Sequence, residues 1–433
     1  MVVFPAYEIG TSQLINLVRG LHDHGVLHKV LLIAPASTLK ILPAQPPWFI
    51  ADNSESPSAI IEKIEQLCMV HRLSLQSVMA VDEEMQFQLS ARIAHHFHLP
   101  FYRETTCRTA SVKYLAKKMF HTHQVPTGAF ELISEITPAA IEKIGFPNVL
   151  KPLAGTQSHF IFCNHNEQEL RNHFAILSQA AESMGEDPRF SMKTDGTEGQ
   201  EILLDPKRQF LLETYISGEE LSCDFMVQGD RLDIIRLVKK IPAPMFGMFR
   251  GYTLLSETAV READIDMVRL IEICRRIATG FDLDRGICMV DFKINDGEIF
   301  VLEATIRPGL SAFNHLMYAQ YGYTSPLLLA LLHMGGQIDL DFPETGGMVV
   351  FLYAPHAGYL QNMDIHELLS RRQELGVLAV HRFTEEACPV HDSEVDHSDL
   401  IQGYVLIAEA PSANSSELAD TISSCVKYQM EPL

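Results

Sequence analysis

The sequence predicts a protein of mixed α/β and α+β class, and three observations predict it. Its 433 residues exceed the roughly 100 to 200 of a single domain, so two or three cores are expected. Over roughly the first hundred residues, short apolar runs alternate with helix-period stripes, the pattern of a small parallel sheet with helices on its faces. Beyond them, strands and helices mix less regularly and the strands follow one another through Gly-containing turns, as in α+β segments.

The elements read in order. Leu14, Leu17, Val18 and Leu21 recur at helical spacing with Gly25 as the stop, and Val30-Leu31-Leu32-Ile33 is short enough for a buried strand. Residues 43–58, rich in Pro, Asn and Ser, read as a loop. Residues 59–71 form a second helix striped by Ile60, Ile61, Ile64 and Leu67, 77–81 a strand and 84–97 a third helix. A helix over 113–123 is ended by Val125-Pro126-Thr127-Gly128 and is followed by helix 139–144, strand 148–151 and helix 167–181. Residues 185–200 have few apolar side chains and read as a mobile stretch. Strands resume at 210–215 and 220–227, 263–281 reads as one helix, and strands follow at 286–294 and 299–305. After Gly346 come strands 348–353, 377–383 and 403–408, then a closing helix over 415–428.

Composition narrows the function. At 47% hydrophobic and 21% charged, the chain is neither disordered nor collagen-like. No apolar run approaches the roughly 18 residues of a membrane span. Met1-Val2-Val3-Phe4-Pro5 lacks the basic start of a secretory signal, so a cytoplasmic location is expected. Lys plus Arg number 34 against 55 Asp plus Glu, a formal charge of -21 that repels nucleic acid and anionic membranes. Small anions in a pocket are not excluded. None of the eight cysteines is spaced as C-x-x-C, and Cys288 sits in an apolar run as a small hydrophobe. His95, His96 and His98, like His121 and His123, lack the i, i+4 spacing of a helical metal pair and read as solvated helix ends.

Three segments carry chemistry. In the first, strands 286–294 and 299–305 flank Asn295-Asp296-Gly297, a hairpin signal. A three-residue loop, with Gly297 in the left-handed position, puts Asp291 and Glu303 on one face; a two-residue loop puts them on opposite faces. The three-residue loop is expected, bringing the two carboxylates together beside the Thr305 hydroxyl. Such a pair repels itself unless a cation neutralises it, and Mg²⁺ bridging ATP phosphates takes few protein carboxylates. A solvated acidic face is the bland alternative, opposed by Ile287, Met289 and Val301 in the same strands. In the second segment, strand 148–151 delivers Lys151 to the small-residue loop Ala154-Gly155-Thr156-Gln157-Ser158, suited to cradling phosphate. In the third, Glu213-Thr214-Tyr215-Ile216 ends a strand at Ser217-Gly218 and Glu220 opens the next; an extended backbone can pair with a base and a carboxylate with ribose hydroxyls. Each of the last two has a plain structural reading when seen alone.

In this order and spacing, over roughly 105–345, the three segments resemble the ATP-grasp superfamily, which binds ATP between two α+β lobes. The resemblance implies an ATP-grasp domain at 105–345, a preceding parallel-sheet α/β domain at 1–104, and a β-rich α+β C-terminal domain at 346–433 similar to that of L-amino-acid ligases and carboxylate–amine ligases. It implies that Lys113 and Lys151 contact ATP phosphates, that residues 155–158, with Gly155 and Ser158, form the phosphate loop, and that Glu213, Tyr215 and Ile216 form the adenine hinge. Glu220 becomes the ribose carboxylate, Asp291, Glu303 and Thr305 the ligands of Mg²⁺ (or Mn²⁺), and Arg307 the arginine of the Glu-x-Asn-x-Arg-Pro-Gly motif. Two positions depart from the family pattern: Thr305 replaces its usual asparagine, and the phosphate loop is poor in glycine.

The implied reaction joins a small-molecule carboxylate to an amine. Oxide is a poor leaving group, so the γ-phosphoryl of ATP first converts the carboxylate to an acylphosphate, with Lys113, Lys151 and the metal spreading charge and Arg307 gripping the intermediate. A cover against water is expected, either 185–200 or 243–250. Lys239, Lys240, Arg250 and His315 are candidate charged substrate contacts, and an apolar sheet edge in the first domain suits a homodimer. Competing expectations are bicarbonate activation of the biotin-carboxylase kind and a catalytically weak ATP-binding module.

Overall fold

The structure is a computed structural model; it describes the chain except residues 7–9, 53–55, 83–84, 156–158, 185–186, 188–189, 191–203, 385, 394–395, 409–414 and 433. Strands β1 (Val2–Pro5), β2 (Val30–Ala34), β3 (Trp48–Ala51) and β4 (Ser77–Val78) form a parallel sheet in the order β3-β2-β1-β4. Side chains alternate across it. Phe4 and Leu32 pack on helix Thr11–Asp23 through Leu14, Leu17 and Leu21, whereas Val3, Leu31 and Ile33 pack on helices Pro57–His71 and Met85–Phe97. Two expectations change here. The Pro-rich stretch 43–58 contains β3, because Trp48-Phe49-Ile50 supplies enough apolar surface to pair beside β2, and β4 ends at Val78 rather than at Val81.

Strands β5 (Phe130–Ile133), β6 (Asn148–Lys151), β7 (Phe162–Asn164) and β8 (Phe210–Thr214) make a small antiparallel sheet in the order β5-β8-β6-β7. Helices Pro138–Ile144 and Glu167–Ser183 cover it through Ile144, Leu170, Leu177 and Ala181.

The largest sheet has the order β13-β12-β9-β10-β11-β14-β18-β16. Its members are β9 (Glu219–Gln228), β10 (Arg231–Pro242), β11 (Phe249–Leu254), β12 (Arg285–Asn295), β13 (Glu298–Thr305), β14 (Gly347–Tyr353), β16 (Val377–Arg382) and β18 (Ile401–Ala408). It runs without a break across position 346, since Gly251 of β11 pairs with Val350 of β14. Strands β15 (Gly358–Asp364), β17 (Cys388–Val390) and β19 (Lys427–Glu431) form a separate three-stranded sheet. One face of the large sheet packs on helices Lys113–Thr122 and Met267–Gly280 through Phe225, Val290, Phe292 and Val301. Its other face packs Met226, Val238 and Ile287 on helices Phe313–Tyr321 and Ser325–His333, which also carry the first domain. Between that core and the small sheet the same face stays polar.

The expected 263–281 helix runs only over Met267–Gly280; a separate short helix, Glu257–Glu262, precedes it, Asp264 between them turns left-handed at φ 51, and Asp266 caps the longer helix by accepting from the Arg269 N–H. The closing helix ends at Ser424, and the chain then adds β19 beside β15. No helix among the described residues is long and apolar enough to cross a membrane.

Candidate active site

The site starts from a turn. Asn295 pairs with Glu298, so the hairpin loop is the two-residue Asp296-Gly297, with φ 50 and 79, not the expected three-residue loop. Continued unbroken, that register would set Asp291 opposite Leu302. The ladder instead shifts by one residue: Phe292 faces Val301 while Asp291 faces Glu303. Leu302 is left as a bulge, which flips the rest of β13 and brings both carboxylates to the polar face. Thr305, opposite Met289, follows them, and Val301 stays on the helix-packed face.

Lysines meet this pair from two sides. Lys113, at the start of helix Lys113–Thr122, bonds Glu303 Oε1 at 2.9 Å and the Gly155 carbonyl at 2.7 Å. Lys240 of β10 bridges Asp291 Oδ2 and Glu220 Oε1, each at 2.9 Å, with its ammonium 4.6 Å from the Phe249 ring centroid. In the small lobe, Glu213 lies between Lys151 at 3.1 Å and Lys117 at 3.4 Å, and Lys117 also donates to Thr127 Oγ1 at 2.7 Å. Lys293 donates to the Ile216 carbonyl at 2.9 Å and sits 4.6 Å from the Tyr215 ring centroid, tying the strand ending at 216 to β12. Phe246 of the 243–250 segment lies 6.3 Å from Tyr215, and that segment closes the β10–β11 hairpin through the Ala243 N–H on the Met248 carbonyl.

Charge sets the protonation states. Burial pushes the Glu303 carboxyl up, yet Lys113, Lys151 and Arg307 outweigh it and hold the group at about 2. Burial also lowers Lys117 to about 8 against the pull of Glu213, and it disfavours the charged Lys240, which Asp291 and Glu220 nevertheless raise above its ordinary value. Glu213 is likewise resisted by burial and drawn below the usual carboxylate range by Lys117 and Lys151.

Arg307 is 8% exposed and donates to the Pro308 carbonyl at 3.0 Å; it stands two residues beyond Thr305, the last residue of β13. Asp291 Oδ1 and Thr305 Oγ1 are buried and lack a hydrogen-bond partner among the described residues. Those orphaned oxygens, together with Glu303, form an all-oxygen set fitted to a hard divalent cation. Ser158 lies outside the described residues, as does nearly all of 185–200. Lys239 pairs with Glu219 and Arg250 with Asp420, both away from the carboxylates. His315 hydrogen-bonds the Ser12 carbonyl at 3.0 Å and Tyr404, with burial lowering it to about 4. His95, His96 and His98 are exposed, and no metal-holding cluster of His, Cys, Asp and Glu occurs among the described residues.

Residues 144–310, which carry all of these groups from Lys151 to Arg307, match the family model of the ATP-grasp domain. The chain carries an ATP-grasp domain. The architecture around this ATP-grasp domain also has counterparts. The chain is similar to an L-amino acid ligase from Bacillus licheniformis over 99% of this chain and 98% of that one, with a TM-score of 0.73 at 14% identity. It is similar to N5-carboxyaminoimidazole synthetase from Staphylococcus aureus, solved with ADP, over 98% and 96% of the two chains (TM-score 0.67, 13% identity). The biotin carboxylase domain of 2-oxoglutarate carboxylase from Hydrogenobacter thermophilus, solved with MgADP and bicarbonate, matches over 99% and 90% (TM-score 0.66, 12% identity). At such identities the likeness is one of fold.

The ATP-grasp match leaves Lys113 and Lys117 outside its span, yet the structure brings both to the cleft. Sequence reasoning missed Lys117 and the bridging place of Lys240. Two lysines four apart, at 113 and 117 of one helix, were the available signal for the first. For Lys240, the signal was its place two residues after Val238, on the same face of β10.

Proposed function

We propose that this protein is an ATP-dependent carboxylate–amine ligase. It activates a small-molecule carboxylate, with amino acids as the candidate substrate class, as an acylphosphate and joins it to an amine with release of ADP and phosphate. One observation carries the reading: Asp291 and Glu303 share a face, each neutralised by a lysine from a different element, beside buried oxygens that lack partners among the described residues. The ATP-grasp match supports it, as do the ligase and synthetase named among the similar structures.

Asp291, Glu303 and Thr305 would hold Mg²⁺, which supplies charge neutralisation and orientation of the phosphates. Lys113 and Lys151 hold phosphate oxygens, and the low Glu303 value keeps that carboxylate ionised throughout the neutral range. The 213–216 strand end receives the base and Glu220 the ribose. A substrate carboxylate oxygen attacks the γ-phosphorus as the bond to ADP breaks. The amine then attacks the acyl carbon, phosphate leaves, and the ammonium proton is lost. Arg307 is placed to hold the acylphosphate and the developing oxyanion.

The test is a substrate panel with ATP and Mg²⁺, read by ADP and phosphate release, with Glu303→Ala as control. ADP formation that depends on an amine supports the ligase. Dependence on bicarbonate would move the reading to a carboxylase, and full activity of Glu303→Ala would refute the metal assignment.

A further inference from the structure

Below the Arg307-Pro308-Gly309 turn lies an ion pair sealed from water. Arg236 of β10 and Asp224 of β9 are both 0% exposed, and the guanidinium binds the carboxylate at two points, 2.7 Å and 3.0 Å. Arg236 also donates to the Ser222 carbonyl and to Ser222 Oγ, each at 3.2 Å, and its Cζ lies 3.9 Å from the Phe313 ring centroid. The pair then reaches the turn itself: Asp224 Oδ1 accepts the Gly309 N–H at 3.0 Å. Asn314 holds the other side of the same residue by donating to the Gly309 carbonyl at 2.8 Å. A Cβ added at Gly309 would stand 2.1 Å from Arg236 Nη2, so the turn rests directly on the guanidinium.

A sealed ion pair is a costly way to gain stability, because apolar residues of similar volume often serve as well or better. Its value is geometric, since a bidentate fork fixes direction as well as distance. We propose that Asp224 and Arg236 are positioning residues that aim Arg307 at the acylphosphate by pinning the turn two residues downstream. This rests on the role given to Arg307 above.

The experiment compares the full-length protein with Asp224→Leu/Arg236→Met, which removes both charges, and with Gly309→Ala, which keeps both charges but drives a methyl between the turn and the Arg236 guanidinium. Hydrogen exchange over 306–311 needs no substrate and should accelerate by at least about tenfold in both variants, with the rest of the β9–β10 ladder unchanged. With an equimolar mixture of the twenty L-amino acids, kcat should fall at least about tenfold while the ATP KM stays within about twofold. In an Arg307→Gln background, the same changes should cost no further kcat, because their effect passes through that side chain. Unchanged exchange at the turn, or losses that multiply with Arg307→Gln, would overturn the proposal. If Arg307→Gln alone keeps full turnover, the role of Arg307 falls instead, and the exchange result still decides whether the pair pins the turn. Should the double variant not fold, Gly309→Ala carries the test.

Discussion

Asp291 and Glu303 face each other across β12 and β13 only because Leu302 drops out of the ladder between them. The two-residue turn and the bulge are each a one-residue change of register, and together they cancel. A strand pair that began at Asp296-Gly297 and ran unbroken would have presented a leucine to Asp291 and buried Glu303 against the helices. The bulge therefore builds the candidate site, in keeping with the frequency of bulges beside functional groups.

Glu303 yields the first prediction. Its carboxyl is held at about 2, well below the ordinary carboxylate range, so its ionised form is stabilised by folding. That contribution is complete above the unfolded value of about 4.3 and disappears as pH falls toward 2. Denaturant unfolding of wild type and Glu303→Gln should show a stability gap that narrows over this window. Turnover of the variant at neutral pH should drop by about a hundredfold. A gap independent of pH would mean that the surrounding cations do not act on this carboxylate.

Lys117 predicts an alkaline effect on nucleotide binding. Burial brings its value to about 8, so it loses its proton as pH rises through that point. Glu213 then keeps only Lys151 as a cation, and Lys151 is drawn away from phosphate. ATP affinity should weaken above about pH 8, by on the order of tenfold for the loss of one charged contact. Lys117→Met should bind ATP weakly at all pH values and lack this limb. Titrations of ATP binding between about pH 7 and 9.5 read both effects.

The contrast between what was legible and what was not follows the same physics. Strands 286–305 and the helix stripes at 14–21 and 60–67 obey simple periods, and their faces were readable apart from the bulge. β10 and β11 were not, because Arg236, Lys239 and Lys240 interrupt the apolar alternation in the very strand that supplies the site. Polar residues inside a sheet are satisfied by partners distant in sequence: Arg236 by Asp224, Lys240 by Asp291. Local pattern carries no record of such pairings. The late start of the Met267–Gly280 helix was missed for a different reason, since Asp264 takes a left-handed turn that the apolar spacing beyond it does not announce.

Lys240 sits on Asp291 Oδ2, beside the proposed cation site. Lys240→Met frees Asp291 Oδ2 and Glu220 Oε1 together. Mn²⁺ binding in the presence of ADP, followed by electron paramagnetic resonance, should tighten in this variant, by at least about threefold for the removal of one competing charge. Asp291→Asn should weaken it at least about tenfold, as expected for loss of a carboxylate ligand. Equal Mn²⁺ affinity in all three proteins would remove Asp291 from the metal set.

Thr305 separates a structural hydroxyl from a ligating one. It is 0% exposed, and its Oγ1 has no hydrogen-bond partner among the described residues. A buried hydroxyl left in that state costs about 1 kcal/mol or more, whereas valine has the same shape and nothing to satisfy. Thr305→Val should therefore raise the melting temperature by about 1–2 °C. If the hydroxyl ligates the cation, the same substitution should weaken Mn²⁺ binding and lower turnover, so stability and activity move in opposite directions. A variant that is more stable and equally active would mark Thr305 as a space-filling residue, leaving Asp291 and Glu303 to hold the ion alone.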